Sequence, residues 1–132
     1  MTLALDASAA VAVLVDRGTD GRWARRQLGA GSAAAPHLMP AEAANILRRA
    51  TLAGEISADT ASLAHADLLE LDVELFDYRP FATRVWQLRE NVTAYDGWYV
   101  ALAESLAVDL ITLDRRLARA PGCLCAFRTP DD

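Results

Sequence analysis

Residues 93–117 read TAYDGWYVALAESLAVDLITLDRRL and contain a helix pattern followed directly by a strand pattern. The segment Trp98–Ala107 is apolar on nearly every side, which is typical of a helix in the interior of a protein. Val108 and the run Leu110–Thr112 predict a strand, and Asp114 is suited to begin a short helix after it. A buried helix that leads into an apolar strand indicates an α/β protein.

The same alternation extends from this segment towards both ends of the chain. Further strands are predicted at Leu3–Leu5, Ala33–Pro36, Val73–Phe76 and Cys123–Phe127. Further helices are predicted at Ala9–Val15 with Ser8 as N-cap, at Asp20–Leu28, Pro40–Leu52 and Ala58–Glu70, and around Phe81, Val85 and Leu88. This alternation predicts an α/β fold with a mostly parallel sheet that is covered by helices on both faces. We expect residues 1–132 to form one domain, with Asp131 and Asp132 fraying at the end.

The composition indicates a protein that folds around its own core. Hydrophobic residues make up 53% of the chain, yet no apolar run approaches the roughly 20 residues of a membrane span. Asp6 follows the first apolar residues and no basic leader precedes them, so we expect a cytoplasmic protein without a secretory signal. Cys123 and Cys125 have no third cysteine to join them and lack redox-motif spacing, so we expect both thiols simply to pack.

The basic residues indicate phosphate chemistry more clearly than the net charge does. A net charge of −5 by itself argues against binding of nucleic acid. All 13 basic residues are arginines, however, and a guanidinium binds phosphate with two parallel hydrogen bonds. Receiver domains and haloacid-dehalogenase-type phosphatases normally need a lysine near the phosphate. The chain contains no lysine, which argues against both of these classes.

Four acidic residues occupy comparable places in the predicted elements. Asp6 and Asp114 follow predicted strands, Glu42 lies in the first turn of a helix after a strand, and Asp96 begins the apolar helix. In open parallel sheets, ligands bind outside the carboxyl ends of the strands. We therefore expect Asp6, Glu42, Asp96 and Asp114 to meet at that edge of the sheet.

Such a carboxylate cluster requires cations. Two carboxylates about 4 Å apart repel each other by roughly 4 kcal/mol at an effective dielectric constant of 20. Oxygen ligands of this kind suit Mg²⁺ or Mn²⁺, and such ions assist the cleavage of phosphodiesters. The alternative interpretation is that Asp96 and Asp114 are helix N-caps and that Glu42 only complements a helix dipole.

Four sequence motifs resemble those of the PIN-domain family. They are LDASA at 5–9, PAEAANIL at 40–47, TAYDGWYVALA at 93–103 and TLDRRL at 112–117. Their order and spacing are similar to those of compact VapC-type members. This resemblance implies a three-layer α/β/α sandwich and an endoribonuclease that depends on Mg²⁺ or Mn²⁺. It also implies a toxin that a cognate antitoxin holds inactive, and a homodimer.

The resemblance also implies roles for individual residues. Asp6, Glu42, Asp96 and Asp114 would form the acidic site, with Asp6, Asp96 and Asp114 as metal ligands. Ser8 and Asn45 would support it, and we expect Arg115 or Arg116 to contact substrate phosphate. Trp98 departs from the family pattern because a smaller residue is expected there, which makes core packing its favoured role.

Two other classes of function stay open on the sequence alone. The chain could be a binding module that uses the PIN scaffold without catalysis, although such a module has no reason to keep four repelling acids. It could instead be a metal-dependent phosphatase or a receiver-like protein, although the missing lysine argues against this. An RNA cleavage assay with and without Mg²⁺ distinguishes the three classes.

Overall fold

Five short parallel strands form the centre of the fold in the computed structural model, which describes residues 2–130. The strands are β1 (Thr2–Leu5), β2 (Ser32–Pro36), β3 (Val73–Phe76), β4 (Leu110–Ile111) and β5 (Phe127–Arg128). Their order across the sheet is β3-β2-β1-β4-β5, and each neighbouring pair is parallel. The predicted parallel sheet is therefore confirmed. The end that we expected to fray, Asp131 and Asp132, lies outside the described residues.

Helices cover both faces of this sheet and connect its strands. They are α1 (Ala7–Val15), α2 (Thr19–Leu28), α3 (Met39–Leu52), α4 (Ala58–Leu69), α5 (Ala82–Gln87), α6 (Ala94–Leu106) and α7 (Arg115–Ala118), with a 3₁₀ turn at Arg79–Phe81. Helix α1 packs against α2, α3 and α4, whereas α6 packs against α5 and against β1, β2 and β4. The α/β/α sandwich is confirmed. Among residues 2–130, no helix combines the length and apolar character that a membrane span needs.

Small side chains allow the helices to lie close to the sheet. The central strands contain Ala4 and the run 33–35, and α1 contributes Ala9 and Ala10, all of them buried. Larger side chains such as Leu5, Leu102 and Ile111 fill the space between the layers. Burial of β1, β2 and β4 on both faces explains why these strand segments are continuous apolar runs rather than alternating ones.

Asp6, and not the predicted Ser8, is the N-cap of α1. Asp6 has extended backbone angles (φ −84°, ψ 169°), and its Oδ1 accepts a hydrogen bond of 2.9 Å from the amide of Ala9. Ser8 is the second residue of the helix. The prediction was wrong because both residue types cap helices well, and the local sequence does not determine which one is extended.

The last strand begins at Phe127, so the predicted strand at Cys123–Phe127 was wrong in its position. The backbone at Gly122 and Leu124 bonds to side chains instead of a neighbouring strand. The amide of Leu124 donates to Glu104 Oε2 at 2.7 Å, and Arg84 donates to the carbonyl of Gly122 at 2.7 Å. Both cysteines in this segment are free thiols that pack against the core, as expected.

Candidate active site

A cavity of about 310 Å³ opens at the carboxyl ends of β1 and β4. The strand order reverses between these two strands, and this is where open α/β sheets bind ligands. The four acids expected to meet at this edge all line the cavity, together with the two expected supporting residues: Asp6, Glu42, Asp96, Asp114, Ser8 and Asn45. The structure therefore brings together six residues that are far apart in the sequence.

Asp6 is the most firmly held of the four acids and is only 7% exposed. Its Oδ1 accepts hydrogen bonds from the Ser8 hydroxyl at 2.7 Å and the Ala9 amide at 2.9 Å. Its Oδ2 accepts a bond from the Thr112 hydroxyl. Burial raises the pKa of Asp6 to about 6 although these three hydrogen bonds act to lower it, and the charge of Asp96 raises it further. Keeping Asp6 charged in this buried position therefore costs free energy of folding.

The same hydroxyl groups connect Asp6 to the segment that carries Asp114. Thr112 Oγ1 accepts a bond of 2.9 Å from the amide of Asp114, and Ser8 Oγ accepts one of 3.1 Å from the amide of Leu113. These bonds fix the segments after β1 and β4 against each other. Asp114 Oδ1 caps α7 by accepting from the amides of residues 116 and 117 at 2.9 and 3.2 Å. The alternative that Asp114 is a helix N-cap is therefore correct. The second carboxylate oxygen of Asp114 makes no hydrogen bond within residues 2–130.

Glu42 is positioned by a tyrosine from the opposite side of the cavity. The Tyr99 hydroxyl donates to Glu42 Oε1 at 2.7 Å, and Tyr99 is only 2% exposed. Burial raises the pKa of Glu42, the bond from Tyr99 lowers it, and the charge of Asp96 raises it. Burial and the bond to Glu42 also raise the pKa of Tyr99, so its hydroxyl stays protonated and remains a donor. Glu42 therefore lines the cavity with one carboxylate oxygen held by Tyr99.

Asp96 lies in the first turn of α6 but does not cap it. The N-cap is Thr93, whose Oγ1 accepts a bond of 3.1 Å from the amide of Asp96. The alternative that Asp96 is a capping residue is therefore wrong, and its carboxylate lines the cavity instead. Burial raises the pKa of Asp96, and the charge of Asp114 raises it further. Gly97 allows this turn to lie close to α5, because a Cβ there would be 3.3 Å from Val85 Cγ1.

In the part of the chain that the structure describes, no arginine forms an ion pair with these carboxylates. Within residues 2–130, none of the four acids forms an ion pair, since the ion pairs of this part of the chain join Arg79–Asp77, Arg84–Glu104 and Arg128–Asp109. The same residues contain no three acidic, histidine or cysteine side chains already grouped as ligands of one ion. Mg²⁺ keeps several of its waters when a protein binds it, so these oxygen donors fit a hydrated hard cation that some of them would hold through water.

The two arginines expected to contact phosphate occupy different surroundings. Arg115 donates to the carbonyl of Pro130 at 2.7 Å and lines neither of the cavities formed by Asp96 and Asp114. Arg116 lines a second cavity beside those two acids. Of these two arginines, Arg116 therefore lies beside the acids and Arg115 does not.

Trp98 packs in the core and does not line the cavity. Its ring meets that of Tyr78 edge to face at 5.2 Å, and both belong to the cluster around Phe81 and Val85. The bulky side chain therefore leaves the shape of the site unaffected. The expected core role of Trp98 agrees with this position.

Three residues of the site were not identified as such from the sequence. Thr112 and Tyr99 hold two of the acids, and Arg49 lines the cavity two helical turns after Glu42. Spacing offered a partial signal, because Tyr99 follows Asp96 by three residues and Arg49 continues the face of Glu42 and Asn45. The contact of Thr112 with Asp6 spans 106 residues, and no local pattern indicates it.

Comparison with known proteins agrees with this geometry. A family model described as PIN domain matches residues 3–122. The chain therefore belongs to the PIN domain family.

Individual relatives specify the kind of member. Ribonuclease VapC1 of Mycobacterium tuberculosis is 42% identical over 125 residues, which cover 94% of this chain and 94% of that protein. The crystal structure of PAE2754 from Pyrobaculum aerophilum has a TM-score of 0.71 at 25% identity and covers 96% of this chain and 83% of the other. VapBC-5 from M. tuberculosis, of the VapBC family of toxin–antitoxin systems, has a TM-score of 0.56 at 21% identity and covers 97% and 96%. The identity to VapC1 places the chain among the VapC-type PIN proteins.

Proposed function

We propose that this protein is a metal-dependent endoribonuclease and the toxin of a toxin–antitoxin pair. The observation that carries the proposal is the cavity at the carboxyl ends of β1 and β4, where four carboxylates meet that have no arginine partner among residues 2–130. A relative of 42% identity that bears the name ribonuclease VapC1 supports RNA as the substrate.

Asp6, Asp96 and Asp114 are the residues that we propose to hold Mg²⁺ or Mn²⁺. The charge of Asp114 raises the pKa of Asp96, and a bound cation would offset this repulsion. The chemistry that such a cation supplies to phosphodiester cleavage is activation of the attacking water and stabilisation of the leaving oxygen. Glu42, held by Tyr99, completes the acidic site from the α3 side.

The residues of the chain hold the acidic groups in position. Ser8 and Thr112 hold Asp6 at fixed orientation, and they also hold the segment that bears Asp114. A site whose ligands are held by hydrogen bonds needs little rearrangement when a cation and a phosphate arrive. Asn45, one helical turn beyond Glu42, is placed to bond the RNA near the reacting phosphate.

Cleavage of labelled RNA in Mg²⁺ and in chelator tests the enzymatic part of the proposal. We expect the wild-type protein to cleave RNA in Mg²⁺ and not in chelator. The Asp96→Asn and Asp6→Asn variants should lose nearly all cleavage in Mg²⁺, because asparagine keeps the size of the side chain but not its charge. Glu55→Gln is the matched control, since Glu55 is exposed and lies outside the cavity. A folded Asp96→Asn variant that cleaves at the wild-type rate contradicts the proposed site. Intact RNA with the wild-type protein in Mg²⁺ would favour the idle binding module instead.

We also propose a cognate antitoxin that inserts a basic side chain among the four acids. VapBC-5 is a member of a family of toxin–antitoxin systems, which supports this partner. An arginine of the antitoxin would bind the clustered carboxylates by charge-assisted hydrogen bonds. Co-purification with a protein encoded by the neighbouring gene tests the proposal. Growth arrest on expression of the chain alone, relieved by that protein, is the expected result. Harmless expression without a binding neighbour would overturn the assignment as a toxin.

A homodimer and a cytoplasmic location complete the proposal, and both rest on the resemblance to VapC-type proteins. Sedimentation equilibrium tests the first, with twice the mass of the 14.3 kDa chain as the expected result. Cell fractionation tests the second.

A further inference from the structure

A second cavity, of about 290 Å³, lies on the other side of two of the acids. It shares Asp96 and Asp114 with the first cavity, so these carboxylates stand between the two. Its other lining residues are Asn91, Val92, Thr93, Arg116, Leu117 and Ala120. Neither the acidic site nor the core packing explains an open cavity with an amide, a hydroxyl and a guanidinium at this place.

Each of the two cavities contains one arginine that is not engaged elsewhere. Arg49 lines the first and Arg116 the second, and both side chains are exposed. Within residues 2–130, neither guanidinium makes a hydrogen bond or an ion pair. Arg84 and Arg128 contrast with them, because carboxylates and neighbouring polar groups already occupy their guanidinium groups. Two cations are therefore available, one on each side of the acids.

We propose that the second cavity binds a nucleotide next to the one that is cleaved. This inference rests on the proposed function, which requires the scissile phosphate to lie at Asp96 and Asp114. The RNA strand then crosses these two acids from one cavity to the other. Arg49 contacts the phosphate on one side of the scissile phosphate, and Arg116 contacts the phosphate on the other side.

Electrostatics supports this path for the strand. The carboxylates repel the phosphates that flank the scissile one, and the chain as a whole carries a net charge of −5. A cation on each side of the acids offsets this repulsion where the strand enters and leaves. The guanidinium groups of Arg49 and Arg116 are suited to this role, because a guanidinium binds phosphate with paired hydrogen bonds. The Asn91 amide can in addition bond a base edge, which gives the second cavity a means of sequence preference.

The salt dependence of RNA binding tests the path. The probe is a fluorescein-labelled random-sequence single-stranded RNA of about 20 nucleotides, bound in chelator so that no metal-dependent cleavage occurs. For single strands, each phosphate contact contributes about 0.7 to the slope of log affinity against log salt. We expect Arg49→Gln and Arg116→Gln each to reduce the slope by about 0.7, and the double variant by about 1.4, since the two contact different phosphates.

Two neighbouring arginines provide matched controls. Arg48→Gln and Arg119→Gln remove exposed charges next to the test residues, yet neither residue lines these two cavities, and we expect unchanged slopes. Slopes unchanged in both test variants, or reduced equally in the controls, overturn the path. A reduction in only one test variant overturns it as well, because the strand must pass both cations. RNA cleavage by the wild-type protein in Mg²⁺ is measured in parallel, so failure of the path and failure of the nuclease assignment give different results.

Discussion

Replacement of Asp6 by asparagine measures how much stability the buried carboxylate costs the metal-free protein. The pKa of Asp6 rises from 3.8 to about 6, chiefly because the side chain is buried. The folded state therefore binds this proton more tightly than the unfolded chain does. The contribution of Asp6 to stability is fully present below pH 3.8 and is lost as the pH rises through about 6.

The size of the loss follows from the two pKa values. A difference of one pKa unit corresponds to about 1.4 kcal/mol, so the step from 3.8 to about 6 amounts to about 3 kcal/mol of unfolding free energy. Asparagine keeps an oxygen for the amide of Ala9, but its NH₂ group faces the Thr112 hydroxyl, which must turn to accept. That rearrangement costs the variant a constant amount at every pH. The informative quantity is therefore the change of the stability difference with pH.

Urea unfolding in chelator, followed by tryptophan fluorescence from pH 4 to pH 8, measures this change. We expect the stability of Asp6→Asn relative to wild type to rise by more than 2 kcal/mol between pH 4 and pH 7, because most of the titration of Asp6 falls there. Asp77→Asn is the control, because hydrogen bonds from Arg79 lower the pKa of Asp77. The stability of this variant relative to wild type should therefore not rise with pH. A difference for Asp6→Asn that stays flat or falls with pH would refute the reasoning and show an ordinary charged N-cap.

Four further outcomes can be checked on the same protein. Saturating Mg²⁺ should raise the melting temperature of wild type by at most about 10 °C, since a ligand at 100 times its Kd adds roughly 2.7 kcal/mol. Asp96→Asn should gain less from Mg²⁺ but melt above wild type in chelator, because repulsion with Asp114 is gone; differential scanning calorimetry of both proteins decides. Tyr99→Phe should fold normally and cleave RNA about 10- to 100-fold more slowly, because Glu42 loses the group that orients it, and a Mg²⁺ titration of the cleavage rate measures this. Ala107→Gly should stabilise the fold by about 0.5–1 kcal/mol in urea unfolding without changing cleavage, since residue 107 has a left-handed φ of 55°.

Periodicity and composition of the sequence determine the architecture of this protein. Apolar runs at Leu3–Leu5 and Leu110–Thr112, each followed by an acid, predicted buried parallel strands with ligand groups at their carboxyl ends. The structure confirms both strands and brings these acids to one cavity. Such predictions succeed because apolar runs, helix faces and helix ends depend on neighbours within a few residues.

The acidic site is identifiable from sequence for a related reason. Asp6, Glu42, Asp96 and Asp114 each follow or begin an element, and parallel strands deliver such positions to the same edge of the sheet. The topology therefore carries four distant residues to one place without any knowledge of individual contacts. Four motifs in the right order strengthened that inference, and the match of the PIN domain model to residues 3–122 agrees with it.

Only the tertiary structure determined how the acids are held and which neighbours complete the site. Thr112 and Tyr99 reach Asp6 and Glu42 across 106 and 57 residues of sequence. The last strand begins later than predicted because Glu104, from a different element, binds the backbone at Leu124. A hydrogen bond needs its two atoms within about 3 Å, and residues so distant in sequence reach that separation only when the whole sheet and its helices have packed.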